Sequence, residues 1–263
     1  MKQLSVYFAS WDGYADLWEG VFHEFFEYWP DCPYPVYVGS NSVQADNDNV
    51  LTLKSKNNSQ NWSCRVVKHL SMIDSKYVLL MLDDYFLSGA VDTSKIERVL
   101  SYMDAFDAHM VRLHPLPKPD KGVPGCKELG LINVGSVARV NTQPSIWKRD
   151  TLISLIKDDE SLWEFEINAS VRSNHYSGGF FSSWDPLITY NETIKNGLWR
   201  PLYFKFYLNK GVITKGDRGV LPKAKATSIA VETFVVKLAR CLFSHRIRQI
   251  ARAKLGLLLK GKK

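Results

Sequence analysis

Ser75-Lys76-Tyr77-Val78-Leu79-Leu80-Met81-Leu82-Asp83-Asp84-Tyr85-Phe86-Leu87 is the stretch on which the fold turns. The run Tyr77–Leu82 is apolar without alternation, the pattern of a strand covered on both faces, as in a parallel sheet. It stops abruptly at Asp83-Asp84, and aromatic residues follow where turn residues would be expected. In open α/β sheets, ligands bind beyond the carboxyl ends of the strands. Two carboxylates at such an end repel each other unless hydrogen bonds or a cation offset them, and a hard divalent ion shared with substrate phosphates does so. An exposed acidic turn is the bland reading of an Asp-Asp pair. The buried-type strand leading straight into it favours a metal site.

Working outward, strands and helices alternate. Leu4, Val6 and Phe8 alternate with polar neighbours up to Ser10-Trp11-Asp12-Gly13, a strand followed by a loop. Trp18, Phe22, Phe25, Phe26 and Trp29 recur at helical spacing until Pro30. Short strands are expected at Pro35–Gly39 and Val50–Leu53, then a helix around Val66–Ile73 with Ser63 as its cap. Ser94–Phe106 reads as a helix and His109–His114 as a strand. Pro115–Gly130, with four Pro and three Gly, reads as a long loop. Asp150–Lys157 is helical. This order predicts an α/β fold with a mixed, mostly parallel central sheet.

The 263 residues carry a formal net charge of +7, but the excess is local. Residues 237–263 hold nine basic residues and no acid, leaving 25 basic and 27 acidic residues, a net of −2, in 1–236. Val236, Ala239, Phe243, Ile247, Ile250, Leu257 and Leu258 fall on one side of that tail, with Arg240 and Lys254 interrupting the stripe. A basic amphipathic helix too short and too charged to span fits an anionic membrane surface. A helix packed on the body is the alternative. A nucleic-acid arm would be expected to carry aromatic stacking platforms, which the tail lacks. The amino terminus, MKQLSVYFASWDG, lacks a signal-peptide pattern, and four scattered Cys without a CxxC pair point to a reduced cytoplasmic setting.

YVLLMLDDYFL, preceded by NWSCRVVKHLSMIDSKY, resembles the donor-site segment of GT-A-type bacterial glycosyltransferases of surface polysaccharide synthesis. QPSIWKRDTL followed by ESLWEFE resembles their acceptor-side segment, and IKNGLW is a further echo, so the likeness reaches from the first strand to about Trp199. It implies a GT-A-like (Rossmann-like) single catalytic domain over 1–232, with a nucleotide-sugar half at 1–115 and an acceptor half at 131–210. The basic tail is 233–263. It also implies Mg²⁺ or Mn²⁺ on an Asp-x-Asp motif, for which this chain has adjacent Asp83 and Asp84, with Tyr85 in place of the spaced acid and Asp84 favoured as principal ligand. The loop Trp11-Asp12-Gly13-Tyr14 is where the family holds base and ribose; as residues alone, Asp12-Gly13 equally fits a simple turn. Trp62 and Arg65 would contact the donor, and the guanidinium fork of Arg65 suits a diphosphate.

An inverting transfer needs a carboxylate to take the acceptor hydroxyl proton. Glu166 is favoured, with Glu164 and Asp185 in reserve. Glu164 and Glu166 share a face only if the segment is a strand, and Trp163 and Phe165 read equally well as core. Gln143, Trp147 and Trp163 offer contacts to a sugar. His175 reads chiefly as a loop residue, and the six His lack zinc-ligand spacing. GxSxG, P-loop and GxGxxG motifs are absent, which removes support for hydrolase, P-loop and dinucleotide readings. The expected activity is transfer of a sugar from a nucleotide-sugar, a UDP-sugar for preference, to a lipid-linked or polysaccharide acceptor at the inner face of the cytoplasmic membrane. A metal-dependent nucleotidyltransferase and a membrane-docked carbohydrate-binding module are the rivals.

Overall fold

The computed structural model describes residues 2–55, 61–222, 224 and 225. The basic tail, including the membrane-surface stretch 236–263, lies outside the described residues. Two units are distinguished, Met1–Thr193 with Phe206–Gly216, and Ile194–Lys205 with Asp217–Lys263.

The first unit opens with β1, Lys2–Ala9, then a 3-10 turn at Asp12–Leu17 and helix α1, Trp18–Tyr28. Next come β2, Val36–Ser40, β3, Val50–Lys54, helix α2, Trp62–Met72, and β4, Ser75–Leu82. β5, Tyr85–Leu87, follows directly, then helix α3, Thr93–Ala105, β6, Met110–Arg112, β7, Lys121–Val123, and β8, Cys126–Leu131. β9, Ser145–Lys148, leads into helices α4, Arg149–Leu155, and α5, Leu162–Arg172, and the chain returns through β10, Phe180–Ser183, and β11, Tyr190–Glu192. In the second unit, β12, Ile194–Lys195, pairs with β13, Leu198–Trp199. Helix α6, Pro201–Lys210, contains the boundary between the units.

Nine strands form one sheet in the order β3-β2-β1-β4-β9-β6-β10-β8-β7. β1, β2, β3 and β4 are mutually parallel, and β6, β10 and β7 run the same way. Only β9 and β8 oppose them. The α/β class with a mixed, mostly parallel sheet is therefore the one the sequence predicts. Its centre is β4, which pairs with β1 over the register Leu4↔Tyr77 to Ala9↔Leu82 and with β9 over Tyr77↔Lys148 to Leu80↔Ser145. Every residue from Tyr77 to Leu82 is buried. β1 is sealed as well, from Leu4 to Ser10, although its sequence alternates. Ser5 and Ser10 are small enough to be enclosed with the apolar set, and Ser10 Oγ accepts the Trp18 indole N–H at 2.8 Å.

Several local expectations need correction. Helix α2 is capped by Asn61, not Ser63: the Asn61 Oδ1 accepts the Ser63 N–H at 3.0 Å, which starts the helix two residues earlier. Pro115–Gly130 is not one long loop. Its second half forms the hairpin β7–β8, turning at Gly125 with φ +76°. Pro119 packs under Gly130, where an added Cβ would lie 2.6 Å from the proline ring. Trp163–Glu166 belongs to helix α5, started by a capping box between Ser161 and Glu164. Glu164 and Glu166 therefore do not share a face.

Because Leu79 sits fully buried in the middle of β4, Leu79→Ala is expected to cost about 3 kcal/mol of stability. Urea denaturation read by far-UV circular dichroism checks this, and a cost under about 1 kcal/mol would contradict the burial described.

Candidate functional site

Parallel strands deliver their carboxyl ends to one edge of the sheet, so the loops after β1, β2 and β4 converge there. Asp12, after β1, is half-buried and grips the loop after β2. Its carboxylate accepts hydrogen bonds from Ser40 Oγ at 2.7 Å, Ser42 Oγ at 2.6 Å and the Asn41, Ser42 and Val43 amides at 2.8, 3.1 and 3.3 Å. Burial works against its charge, yet the Ser42 and Ser40 hydroxyls and the Ser42 and Asn41 amides outweigh it and hold the carboxyl well below the usual carboxylate range. Asp12 thus ties two loops together. Next to it, Trp11 lies beneath Arg65 of α2, whose guanidinium carbon is 5.4 Å from the ring centroid. Tyr14 stands beside Trp11, with ring centroids 6.2 Å apart and planes tilted by 36°.

Arg65 is buried, which lowers its pKa; the carboxylates of Asp83 and Asp12 oppose that drift. Asp83 is buried at the end of β4, while Asp84 is half-exposed. The Asp84 carbonyl accepts two hydrogen bonds from Thr193, from N–H at 2.9 Å and from Oγ1 at 3.0 Å. Antiparallel pairing of β5 with β11 then stacks Tyr85 on Tyr190 at 4.0 Å between centroids. Burial pushes both phenols up, with Asp84 adding to the effect, so both are neutral at ordinary pH. Tyr190 donates to Gln143 Oε1, and His114 meets the Tyr190 ring edge-on at 5.0 Å.

Gln143 adjoins Thr142, whose N–H and Oγ1 both reach Glu166 Oε1 at 2.7 Å. A continuous run of contacts therefore leads from Asp84 through Tyr85, Tyr190, Gln143 and Thr142 to Glu166. The loop carrying Thr142 is held by Arg112 of β6, fully buried, which donates to Asn141 Oδ1 at 3.1 Å, Pro117 O at 2.8 Å and Ala138 O at 2.7 Å. Burial pulls the Arg112 guanidinium down to about 10, against the pull of Glu166 and Asp120.

The other residues singled out from the sequence are placed as follows. The Trp62 and Phe165 rings lie tilted at 41° with centroids 5.0 Å apart, linking α2 to α5, the helix that carries Glu166. Glu164 is exposed and accepts the Ser161 N–H at 2.9 Å and Oγ–H at 2.7 Å as half of the capping box. Asp185 is exposed in the turn after β10. Trp147, expected to contact a sugar, is 0% exposed in the middle of the sheet and cannot do so. Trp163 is exposed on α5, and His175 is exposed at the end of a 3-10 turn. A shallow cavity of about 520 Å³ lies at the opposite, amino-terminal edge of β1 and β2, lined by Gln3, Leu4, Cys32, Pro33, Tyr34 and Pro35; with no charged side chain it offers none of this chemistry.

Asp83 and Asp84 bring only hard oxygen donors, the set Mg²⁺ and Mn²⁺ take. Mg²⁺ in particular is commonly held by one or two carboxylates together with substrate phosphates. Among the described residues no group of three or more His, Cys, Asp or Glu side chains forms an all-protein cage.

His69, Tyr7 and Gly39 went unnoticed in the sequence. His69 of α2 is fully buried, with Nε2 3.0 Å from Ser40 O and Nδ1 2.9 Å from Tyr7 Oη. The only advance signal was a glycine at the end of a short strand, Tyr37-Val38-Gly39.

No protein-family model and no curated protein matches the chain. Solved structures are similar to it in part, at low identity. S. aureus TarS 1-349 in complex with UDP-GlcNAc has a TM-score of 0.47 and 12% identity, over 85% of this chain and 69% of that one. The galactosyltransferase LgtC with donor and acceptor sugar analogues has 0.41 and 12%, over 91% and 96%. UDP-glucose pyrophosphorylase with UDP-glucose has 0.41 and 9%, over 73% and 92%. The chain spans 36% of the longer TarS structure and 59% of TarS 1-349.

Burial pulls His69 down to about 4, with Arg65 and Lys68 acting in the same direction and the Ser40 carbonyl opposing, whereas in the unfolded chain it titrates near 6.5. Between those values the unfolded chain binds more protons. The His69 contribution is therefore whole above about pH 6.5 and is lost as pH falls toward 4, a difference of roughly 3 kcal/mol. Urea denaturation at pH 7, 6, 5 and 4.5 should show that fall in the wild type and a shallower one in His69→Gln; superimposable pH slopes would refute it.

Proposed function

We propose that this chain is a nucleotide-sugar-dependent glycosyltransferase. One observation carries the reading. At the carboxyl edge of the parallel strands, Arg65 lies over the half-buried Trp11, and the carboxylates of Asp12 and Asp83 act on its charge, with Asp84 next along the chain. An aromatic face, a fork of N–H donors and a carboxylate pair together suit a base, a diphosphate and a divalent cation. The resemblance of YVLLMLDDYFL and QPSIWKRDTL to glycosyltransferase segments supports the same reading.

In this mechanism Trp11 and Tyr14 receive the base, and Asp12 orders the Ser40–Val43 loop against it. Arg65 pairs with the diphosphate. Asp84, with Asp83 behind it, holds Mg²⁺ or Mn²⁺, which when bound supplies charge neutralisation for the departing diphosphate. Glu166 is anchored through Oε1 on Thr142 and takes the acceptor hydroxyl proton through Oε2. The acceptor oxygen attacks the anomeric carbon as the bond to the diphosphate breaks, which inverts configuration. Glu164 and Asp185 remain reserve bases. The donor is a UDP-sugar and the acceptor a lipid-linked or polysaccharide glycan of a bacterial surface polymer. The basic stretch 236–263 holds the enzyme on the anionic inner face of the cytoplasmic membrane, raising the local concentration of a lipid-linked acceptor. No helix among the described residues is long and apolar enough to cross a membrane.

Thermal-shift measurements against UDP, GDP, CMP and dTDP, with and without Mn²⁺, test the donor. Stabilisation is expected with UDP and is expected to rise with Mn²⁺. Asp84→Asn should lower transfer by at least about 100-fold with the melting temperature unchanged, and Glu166→Gln should lower kcat while sparing UDP affinity. Release of pyrophosphate in place of nucleoside diphosphate, or sugar binding that ignores nucleotide and Asp84→Asn, would overturn the reading.

A further inference from the structure

Between Asp84 and Glu166 lies a polar group that the mechanism above does not use. β4, β9 and β6 are neighbours in the sheet, and β9 runs against the other two. Asp83 and Asp84 follow the end of β4, Gln143 precedes the start of β9 and His114 follows the end of β6, so all of them come to the same edge. A backbone hydrogen bond joins the last two segments: the Leu113 N–H donates to the Pro144 carbonyl at 2.8 Å, with His114 and Gln143 on either side of it. Tyr190 then holds both side chains. His114 meets its ring edge-on at 5.0 Å, and Gln143 Oε1 accepts its hydroxyl proton. Tyr85, next to Asp84, stacks on the same ring at 4.0 Å.

These contacts use only half of each polar side chain. His114 Nδ1 lies 3.0 Å from the Ile188 carbonyl oxygen. A carbonyl only accepts, so in the neutral imidazole Nδ1 carries the proton and Nε2 presents a lone pair. Gln143 commits its oxygen to Tyr190, which leaves the two N–H donors of its Nε2. Among the described residues neither Nε2 has a hydrogen-bond partner, and both side chains are half-buried. A lone pair and a pair of N–H donors together match hydroxyl groups, which both donate and accept. The place matches as well. In a bound nucleotide-sugar the anomeric carbon is joined to the diphosphate at one end of this run of contacts and attacked by the oxygen that Glu166 deprotonates at the other, so the sugar ring lies between the two.

We propose that His114 and Gln143 bind hydroxyl groups of the donor's sugar ring, and that Tyr190 is a positioning residue acting through Gln143. The proposal rests on the nucleotide-sugar reading above. It predicts which part of the ligand responds, since UDP has no sugar to transfer and a UDP-sugar does.

The experiment is isothermal titration of the full chain, in the presence of Mn²⁺, with UDP and with UDP-glucose, UDP-galactose and UDP-N-acetylglucosamine. Circular dichroism confirms that each variant is folded. His114→Ala and Gln143→Ala are each expected to weaken the best-bound UDP-sugar by about tenfold, the worth of one hydrogen bond, and UDP by less than about twofold. Tyr190→Phe keeps the ring and removes only the hydroxyl that holds Gln143. It should weaken the UDP-sugar by about threefold alone, and by less than about twofold more in a Gln143→Ala background, because the residue through which it acts is gone. Should His114→Ala not fold, Gln143→Ala and the Tyr190→Phe cycle decide the matter alone. Wild-type UDP-sugar affinity in either alanine variant, equal losses for UDP and UDP-sugar, or full additivity of Tyr190→Phe with Gln143→Ala each overturns the proposal while leaving the glycosyltransferase reading intact. So does a wild-type chain that binds UDP but none of the three UDP-sugars. A wild-type chain that binds no nucleoside diphosphate overturns both.

Discussion

β4 is sealed on both faces, between β1 on one side and β9 on the other, and every side chain from Tyr77 to Leu82 is excluded from water. Such a strand has no room for charge along its length, since an unpaired buried carboxylate costs several kcal/mol (about 3–5 when a partner is removed). Its charges therefore gather where it ends, at Asp83-Asp84. There the charge of Asp83 acts on Arg65 of α2, and that of Asp84 on the buried phenols of Tyr85 and Tyr190.

Around this centre, loops are held by hydrogen bonds to backbone groups. Asp12 gathers amides and hydroxyls of the loop after β2. Arg112 gathers the carbonyls of Pro117 and Ala138, and Arg139, also fully buried, donates to the carbonyls of Ser173 and Tyr176 and lies 4.3 Å over the Phe180 ring. A charged side chain that binds several main-chain groups fixes a loop more firmly than apolar contact would, because each bond is directional and charge-assisted. The loops after β1 and β2 and the loops beside β6 and β10 are thus each organised by charged side chains that bind main-chain groups, and this is how irregular segments hold side chains in register.

Much of this architecture was legible from local pattern. The apolar run of β4, the aromatic periodicity of α1 and its stop before Pro30 are statements about neighbours in sequence, and the structure agrees with them. Errors arose where a long-range contact overrode a local cue. Pro115–Gly130 carries loop residues, yet its second half pairs as β7–β8 because the outer edge of the sheet supplies hydrogen-bond partners. Trp147 has the composition of a sugar platform, but β9 threads it between β4 and β6. Trp163-Glu164-Phe165-Glu166 alternates like a strand, and the Ser161 capping box starts a helix instead. His69 was invisible because a lone histidine in a helix has no signature until Tyr7 and the Ser40 carbonyl, 62 and 29 residues away, close around it.

The amino-acid sequence alone determined the fold class, the position of the acidic pair at the end of a buried strand, and the segregation of positive charge into the tail. All three follow from hydrophobic periodicity and residue count, which need no knowledge of the third dimension. Only the tertiary structure decided that Asp12 holds a loop, that Arg65 lies over Trp11, that Glu166 connects to Asp84 through Thr142, Gln143 and the tyrosine pair, and that Gly39 makes room for a buried hydrogen bond. Hydrogen bonds and close approaches depend on tenths of an ångström between residues far apart in the chain, and no local pattern encodes those distances.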